Sequence, residues 1–220
     1  QDSKVTPELL ARDPANRLLA RGPRHRLDAE VIRDLMLKAS GRLSPKMYGP
    51  SVYPPQPASV SAVAYGATKW NVSKGEDRYR RSLYTFSKRT APFAAFTTFD
   101  ASSGEGCIAR RNRSNTPLQA LTLLNDAMFV ELAQHLALEA GKMASEKRIE
   151  FLFRKFLTRP PSSNEATLMK QFLEIQRQRL RKGELKASQI IGQKNATAEQ
   201  AALALLARSI MNLDETVTKQ

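Results

Sequence analysis

The run RIEFLFRKFLTRPP, Arg148 to Pro161, carries Ile149, Leu152, Phe153, Phe156 and Leu157 at spacings of three and four. A 3.6-residue period brings all five to one face, whereas strand alternation would scatter them over two, so this segment predicts an amphipathic helix with one buried side. Pro160 and Pro161 stop it, and Ser162 to Glu165 then has the S-x-x-E spacing of a capping box at the head of a long polar helix, ATLMKQFLEIQRQRLRKG. After a short LKASQIIG segment, Thr197 caps a last helix, AEQAALALLARSIMNLDETV, whose apolar density predicts deep burial. Upstream, Thr116 caps and Pro117 opens a helix running to Gly141, with a break expected at Asn125 and Asp126, where a second cap restarts the turn. Residues 116–220 therefore read as a multi-helix bundle.

The first 41 residues read as N-terminal helices. Thr6 and Asp13 are each followed by a proline, so two short helices are expected, beginning at Pro7 and at Pro14. In RHRLDAEVIRDLMLKASG, Leu27, Val31, Leu35 and Ala39 recur every fourth position, Ile32 and Met36 widen the stripe, and Gly41 supplies the stop. Residues 42–115 are different. Four prolines between Pro50 and Pro57 favour extended backbone, and roughly thirty residues without periodicity suggest a segment that wraps the core or lines a site. Within it, Tyr79, Leu83 and Phe86 of DRYRRSLYTFSKRT fit a helical face, although Tyr84 and Phe86 also fit alternation, and helix is the reading preferred. The expected fold is mainly α: an irregular helical domain over residues 1–220, with a C-terminal multi-helix bundle and a Pro-rich wrapping loop.

With 220 residues, 41% of them hydrophobic, the chain can bury a core without covalent staples. Cys107 is the single cysteine, which excludes an internal disulfide, a cysteine-rich zinc site and the two-cysteine haem attachment motif. No run approaches the length of a membrane span, and the opening QDSKVTPELL has neither an initiator Met nor an apolar signal core, so it reads as a cut or processed end. Thirty-five Lys and Arg against twenty-one Asp and Glu give a net charge of +14, a surface that attracts phosphate- or carboxylate-rich partners.

The densest charge lies in RRNRSNTPLQALTLLND. Arg110, Arg111 and Arg113 precede a helix whose cap, Thr116, and free N–H groups favour an anion, and guanidinium groups suit oxyanions. These residues, with Arg80 and Arg81 of GEDRYRRSLYTF, are the candidate anion or ligand site. The competing and preferred reading pairs the arginines with Asp100, Glu105 or Asp126, pinning the irregular segment to the helices. Glu76 and Asp77 beside Arg78, Arg80 and Arg81 suggest an ionic network or a cleft wall. Asp77, Asp100 and Asp126 are the candidate catalytic carboxylates, with salt bridging the commoner use of such groups. No metal site is expected: His25 lies between arginines, and His135, flanked by Glu131 and Glu139 at i±4, fits solvent-facing pairs better than a ligand set. Cys107 reads as a buried thiol before a reactive one, and Trp70, Tyr65 and Tyr79 as anchors of the irregular loop before a sugar-stacking platform.

The blocks DPANRLLARGPRHRLDAEVIRD, GPSVYPPQP, GEDRYRRSLYTF, RNRSNTPLQALTLLND and NLDE together resemble the PSD-one domain, a C-terminal domain of unknown function (1553) in large planctomycete proteins that often carry a c-type cytochrome domain. The resemblance spans nearly the whole chain. Two places depart from the family pattern: Ser87 stands where a Trp is usual, and DASSGEGC, covering Ser102 to Gly106, replaces a stretch closer to Asp-Ala-Pro-Ser-Arg. The resemblance implies that this is the C-terminal portion of one domain, extracytoplasmic, partnered by other domains of the same parent protein, with no cofactor of its own and any haem upstream. It carries no activity to transfer. Three function classes follow: a binding or scaffolding module connected with polysaccharide use, which is the one preferred; a hydrolase or lyase on acidic or sulfated glycans; and a nucleic-acid binder. The last ranks lowest, because Lys and Arg are spread along the chain with no reading motif.

Overall fold

The computed structural model describes residues 5–57, 59–60 and 70–219. Its helices are α1 (Pro7–Arg12), α2 (Ala29–Ala39), α3 (Ala94–Thr98), α4 (Pro117–Asn125), α5 (Ala127–Gly141), α6 (Arg148–Leu157), α7 (Ser163–Arg181), α8 (Ala187–Ile191), α9 (Ala198–Met211) and α10 (Asp214–Val217). Two-residue strands β1 (His25–Arg26) and β2 (Thr218–Lys219) pair antiparallel, with His25 opposite Lys219. The fold is mainly α.

Helix α9 is the hub. Ala201, Ala202, Leu203, Ala204, Leu206, Ala207, Ile210 and Met211 are all buried, and the helix packs against α4, α5, α6, α7 and α8. Its closest partner is α5, which brings its own row of small buried residues, Ala133, Ala137 and Ala140. Small side chains on both helices let the axes approach, and the larger Leu132, Leu136, Leu203 and Leu206 fill the space alongside. Helix α6 contributes all five residues of its apolar stripe to the same core.

The ends of these helices follow local chemistry. Ser162 with Glu165 and Thr197 with Gln200 form complete capping boxes. Asp126 closes α4 and caps α5, so the long run does break there. Arg208 of α9 donates to the carbonyl of Leu124, satisfying an orphan at the C-terminus of α4. Helix α2 ends in a Schellman motif: Arg42 N–H donates to Leu37 O at 2.9 Å and Gly41 N–H to Lys38 O at 3.0 Å, with Gly41 at φ 71°.

Three expectations are corrected. No helix starts at Pro14, because Asp13 does not cap one; its carboxylate accepts from Arg17 N and Leu18 N at 2.8 and 2.7 Å. Asn16 and Leu19, both at φ 52°, make this a turn that returns on itself. The buried face of α2 is Ala29, Ile32, Arg33, Met36, Leu37 and Ala39, so Ile32, Met36 and Ala39 of the expected stripe are buried, but Val31 is exposed, since the core approaches from the Ile32 side. The DRYRRSLYTF segment is not an α-helix but two 3₁₀ turns, Gly75–Tyr79 and Ser82–Tyr84, joined through parallel bridges of Arg80 to Ser44 and Thr85 to Val52.

Those bridges tie the Pro-rich stretch to the body. Pro54 and Pro55 are buried, Trp70 Nε1 donates to Pro54 O at 2.7 Å, and the indole stacks on Phe93 with centroids 5.9 Å apart. Tyr53 meets Trp70 edge-on and stacks on Phe86. Trp70 thus anchors the loop; Tyr65 lies outside the described residues.

Candidate functional site

Arg111, at the centre of the arginine cluster, spends its guanidinium on α2: Nη1 and Nη2 reach the two carboxylate oxygens of Glu30 at 2.6 and 3.0 Å. This parallel geometry holds both groups charged. Burial pushes the Glu30 carboxyl up, but the Arg111 hydrogen bond and charge outweigh it and leave it below the usual range. The partner is therefore Glu30, not Asp100, Glu105 or Asp126. Arg110 and Arg113 are exposed on either side.

The candidate carboxylates are occupied elsewhere. Asp100, at φ 61°, accepts from Ser114 N at 2.8 Å and Ser114 Oγ at 2.8 and 2.9 Å, with Gln119 Nε2 at 3.4 Å. Gln119, 1% exposed, extends this network to Thr98 O and to Arg26, whose Nη2 donates to Gln119 Oε1 at 2.7 Å. Asp126 accepts from Met128 N at 2.9 Å, and burial lifts its carboxyl above the ordinary value despite that bond. Asp77 is partly exposed and pairs with Lys46 at 3.1 Å. Thr116 accepts from Gln119 N as the α4 cap.

Two buried arginines organise the GEDRYRRSLYTF motif, and periodicity had pointed to neither role. Arg33, 2% exposed, donates to Arg80 O at 2.8 Å, Ser82 Oγ at 3.3 Å and Arg78 O at 3.2 Å. Burial pulls its guanidinium down to about 10, with Asp34 and Asp126 opposing, so it stays protonated at neutral pH. Asp34 accepts from Ser82 N at 2.7 Å, so adjacent residues of α2 grip the same turn. Arg80, fully buried, donates to Pro50 O at 3.0 Å and to Tyr48 O, and its guanidinium lies 3.8 Å over the Tyr84 ring. It holds the Pro-rich loop in place. Arg81 stays exposed, 4.0 Å from Met47 Sδ.

Two cavities adjoin this clamp. The first, about 190 Å³, is lined by Arg42, Tyr79, Glu131, Gln134, His135 and Gln193, with Leu132 and Ile191 as apolar wall. Glu131 is gripped by Arg78, whose Nε and Nη2 approach Oε2 at 3.1 and 2.6 Å, and by the Tyr79 hydroxyl. Burial raises its carboxyl, and those hydrogen bonds with the charges of Arg78 and Arg42 more than reverse the shift. Glu139 pairs with Lys142 at 2.7 Å, so the two glutamates flanking His135 point their charge to separate cations. Among the described residues, no group of three His, Cys, Asp or Glu side chains could hold a metal. His135 is half-buried rather than solvent-facing, and its Nδ1 is buried without a partner. The second cavity, about 230 Å³, has an aromatic side of Phe86, Phe93 and Phe96, and both Ser87 and Ser102 line it. Cys107 is exposed, contrary to the expected burial, because the loop that carries it is polar and open.

What fold and sites define is a basic helical module whose motif arginines clamp an irregular segment onto a bundle. No described helix is long and apolar enough to cross a membrane. The model of the family described as PSD1, protein of unknown function (DUF1553), matches residues 1–173, and the chain belongs to that family. No curated protein and no solved structure matches it.

Proposed function

We propose that this chain is a non-catalytic binding and scaffolding module of a larger extracytoplasmic protein, working beside other domains of the same parent in polysaccharide use. The observation that carries this reading is the clamp: Arg33, Arg80 and Arg111 direct their guanidinium groups at backbone carbonyls and Glu30, and Asp100 and Asp126 commit their oxygens to hydroxyl, amide and N–H donors. Groups so satisfied fix geometry and have little capacity left for proton transfer. The cytochrome connection and the location rest on the family resemblance. With Cys107 as the single cysteine, a c-type haem belongs to another domain.

The test pairs stability with binding. Arg111→Ala in the purified chain should melt earlier while binding of acidic or sulfated glycans, scored on the surviving fold, changes little. A variant that melts like the parent but loses a salt-resistant, sugar-selective interaction would move the arginine cluster from scaffold to ligand site. Turnover of such a glycan that disappears in Asp100→Asn at unchanged Tm would establish the hydrolase or lyase reading instead, and tight DNA binding with a steep salt slope the nucleic-acid one.

A further inference from the structure

We propose that the cavity between α5, α8 and the Gly75–Tyr79 turn binds a small oxyanion, a carboxylate or sulfate group, through Arg42. The argument begins with Arg42 itself. Its guanidinium is half-buried, 4.2 Å over the Tyr79 ring, and among the described residues none of its side-chain N–H groups donates to a protein acceptor. A guanidinium has five such donors in a planar fork, and these remain accessible from the cavity, ready for an acceptor from outside the protein.

The acid that should neutralise it is already taken. Glu131 lines the same cavity and feels the charge of Arg42, yet Arg78 and the Tyr79 hydroxyl hold both of its oxygens, so Arg42 has no hydrogen-bonded counter-ion. His135 lines the same cavity with its ring, while its Nδ1 is turned away from solvent and has no partner. Buried polar atoms without partners are rare enough to require an explanation. Gln134 uses one amide N–H on Ile190 O at 2.7 Å and keeps the other, and Gln193 stands exposed at the rim.

A carboxylate or sulfate answers these demands together. It would accept two parallel bonds from Arg42, with the free amide N–H of Gln134 and the amide of Gln193 left for a third contact or for neighbouring hydroxyls. A metal cation is disfavoured by the same excess charge. The 190 Å³ volume corresponds to about six water molecules at ~30 Å³ each, room for an inorganic anion or one acidic sugar residue but not for a chain of sugars.

The inference rests on reading the chain as a binding module, but its failure is separate: that reading is judged by the melting of Arg111→Ala, this one by titration. The experiment is isothermal titration of the 220-residue chain with glucuronate, sulfate, phosphate, acetate and glucose at fixed ionic strength. The expected result is saturable binding of at least one anion, no binding of glucose, and at least about a tenfold loss in Arg42→Gln, since one charge-assisted bond of ~1.5–3 kcal/mol corresponds to a factor of ten or more. Because Arg42 also packs on Tyr79, Gln193→Glu is the second variant; it places a carboxylate in the exposed rim and should abolish anion binding at unchanged Tm. Glucuronate binding more tightly than sulfate identifies a sugar-borne carboxylate, and the reverse order a free inorganic anion. Absence of saturable anion binding, equal binding of glucose and glucuronate, or affinity unaltered in both variants would overturn the proposal.

Discussion

Replacing Arg33 by Met tests the clamp at its centre. Met retains much of the aliphatic stem of a side chain that is 2% exposed, so the core loses little volume, whereas Arg80 O, Arg78 O and Ser82 Oγ lose their donor. Asp126, already raised by burial, loses a cation that lowers it. An unsatisfied buried acceptor costs about 1–3 kcal/mol, and removing one partner of a buried ionic set about 3–5 kcal/mol in total. These overlap, and about 3–5 kcal/mol is the expected destabilisation. At roughly 2–4 °C per kcal/mol for a chain of this size, Tm should fall by about 6–20 °C. Thermal melts and urea titrations followed by circular dichroism give the number, with the midpoint shifting at unchanged m if two-state unfolding is preserved. Hydrogen exchange adds the location: amides of residues 75–86 should open first, while α9 keeps its protection. A loss below about 1 kcal/mol, or protection lost from α9 and the 75–86 turns together, would refute the clamp as the element that seats the irregular segment.

The Arg111 and Glu30 pair, each about one-third exposed, should couple by about 1–2 kcal/mol in a double-mutant cycle with Arg111→Ala and Glu30→Ala, and additive single effects would show that it contributes nothing. The Glu165 carboxyl is held at about 2, chiefly by the Arg159 hydrogen bond, against an unfolded value near 4.5. A depressed carboxyl contributes stability above its unfolded pKa and loses it as pH falls to the folded one, so between pH 4.5 and 2 the parent should lose Tm faster than Glu165→Gln. Parallel acid melting curves would contradict this. Gly41→Ala should cost about 1–2 kcal/mol purely from the left-handed backbone, because a Cβ there meets nothing within 4 Å, and an unchanged urea midpoint would show that the turn can relax.

The helical half was legible because its signals are local. Caps at Thr116, Asp126, Ser162 and Thr197 sit one residue before the helices they open, and the period of Ile149 to Leu157 states the buried face directly. Residues 42–115 carry no such record, since bonds from the Arg33 and Arg80 side chains to carbonyls and to the Ser82 hydroxyl shape them, across 45–49 and 30–32 positions of sequence. One signal was available: Arg33 interrupts the apolar stripe between Ile32 and Met36, and a charge in a core-facing position implies a buried partner. The arginine cluster was found by composition, but its partner Glu30 lies 81 positions away, beyond any spacing rule. Arg42 and His135 belong to segments far apart in sequence, so only the folded chain shows that they face one cavity.

The hub position of α9 has a consequence for how this chain is made. The family match ends at residue 173, inside α7, yet the helix that buries α5, α6 and α7 begins at Ala198. On the ribosome, Leu132, Leu136, Phe153 and Leu173 emerge before the surface meant to cover them. Their apolar faces stay uncovered until Met211 has left the tunnel, and the pairing of His25 with Lys219 waits longer still. During synthesis the faces of α5, α6 and α7 therefore stay open until a helix that follows all three in sequence has emerged, the interval in which this domain is most exposed to wrong association.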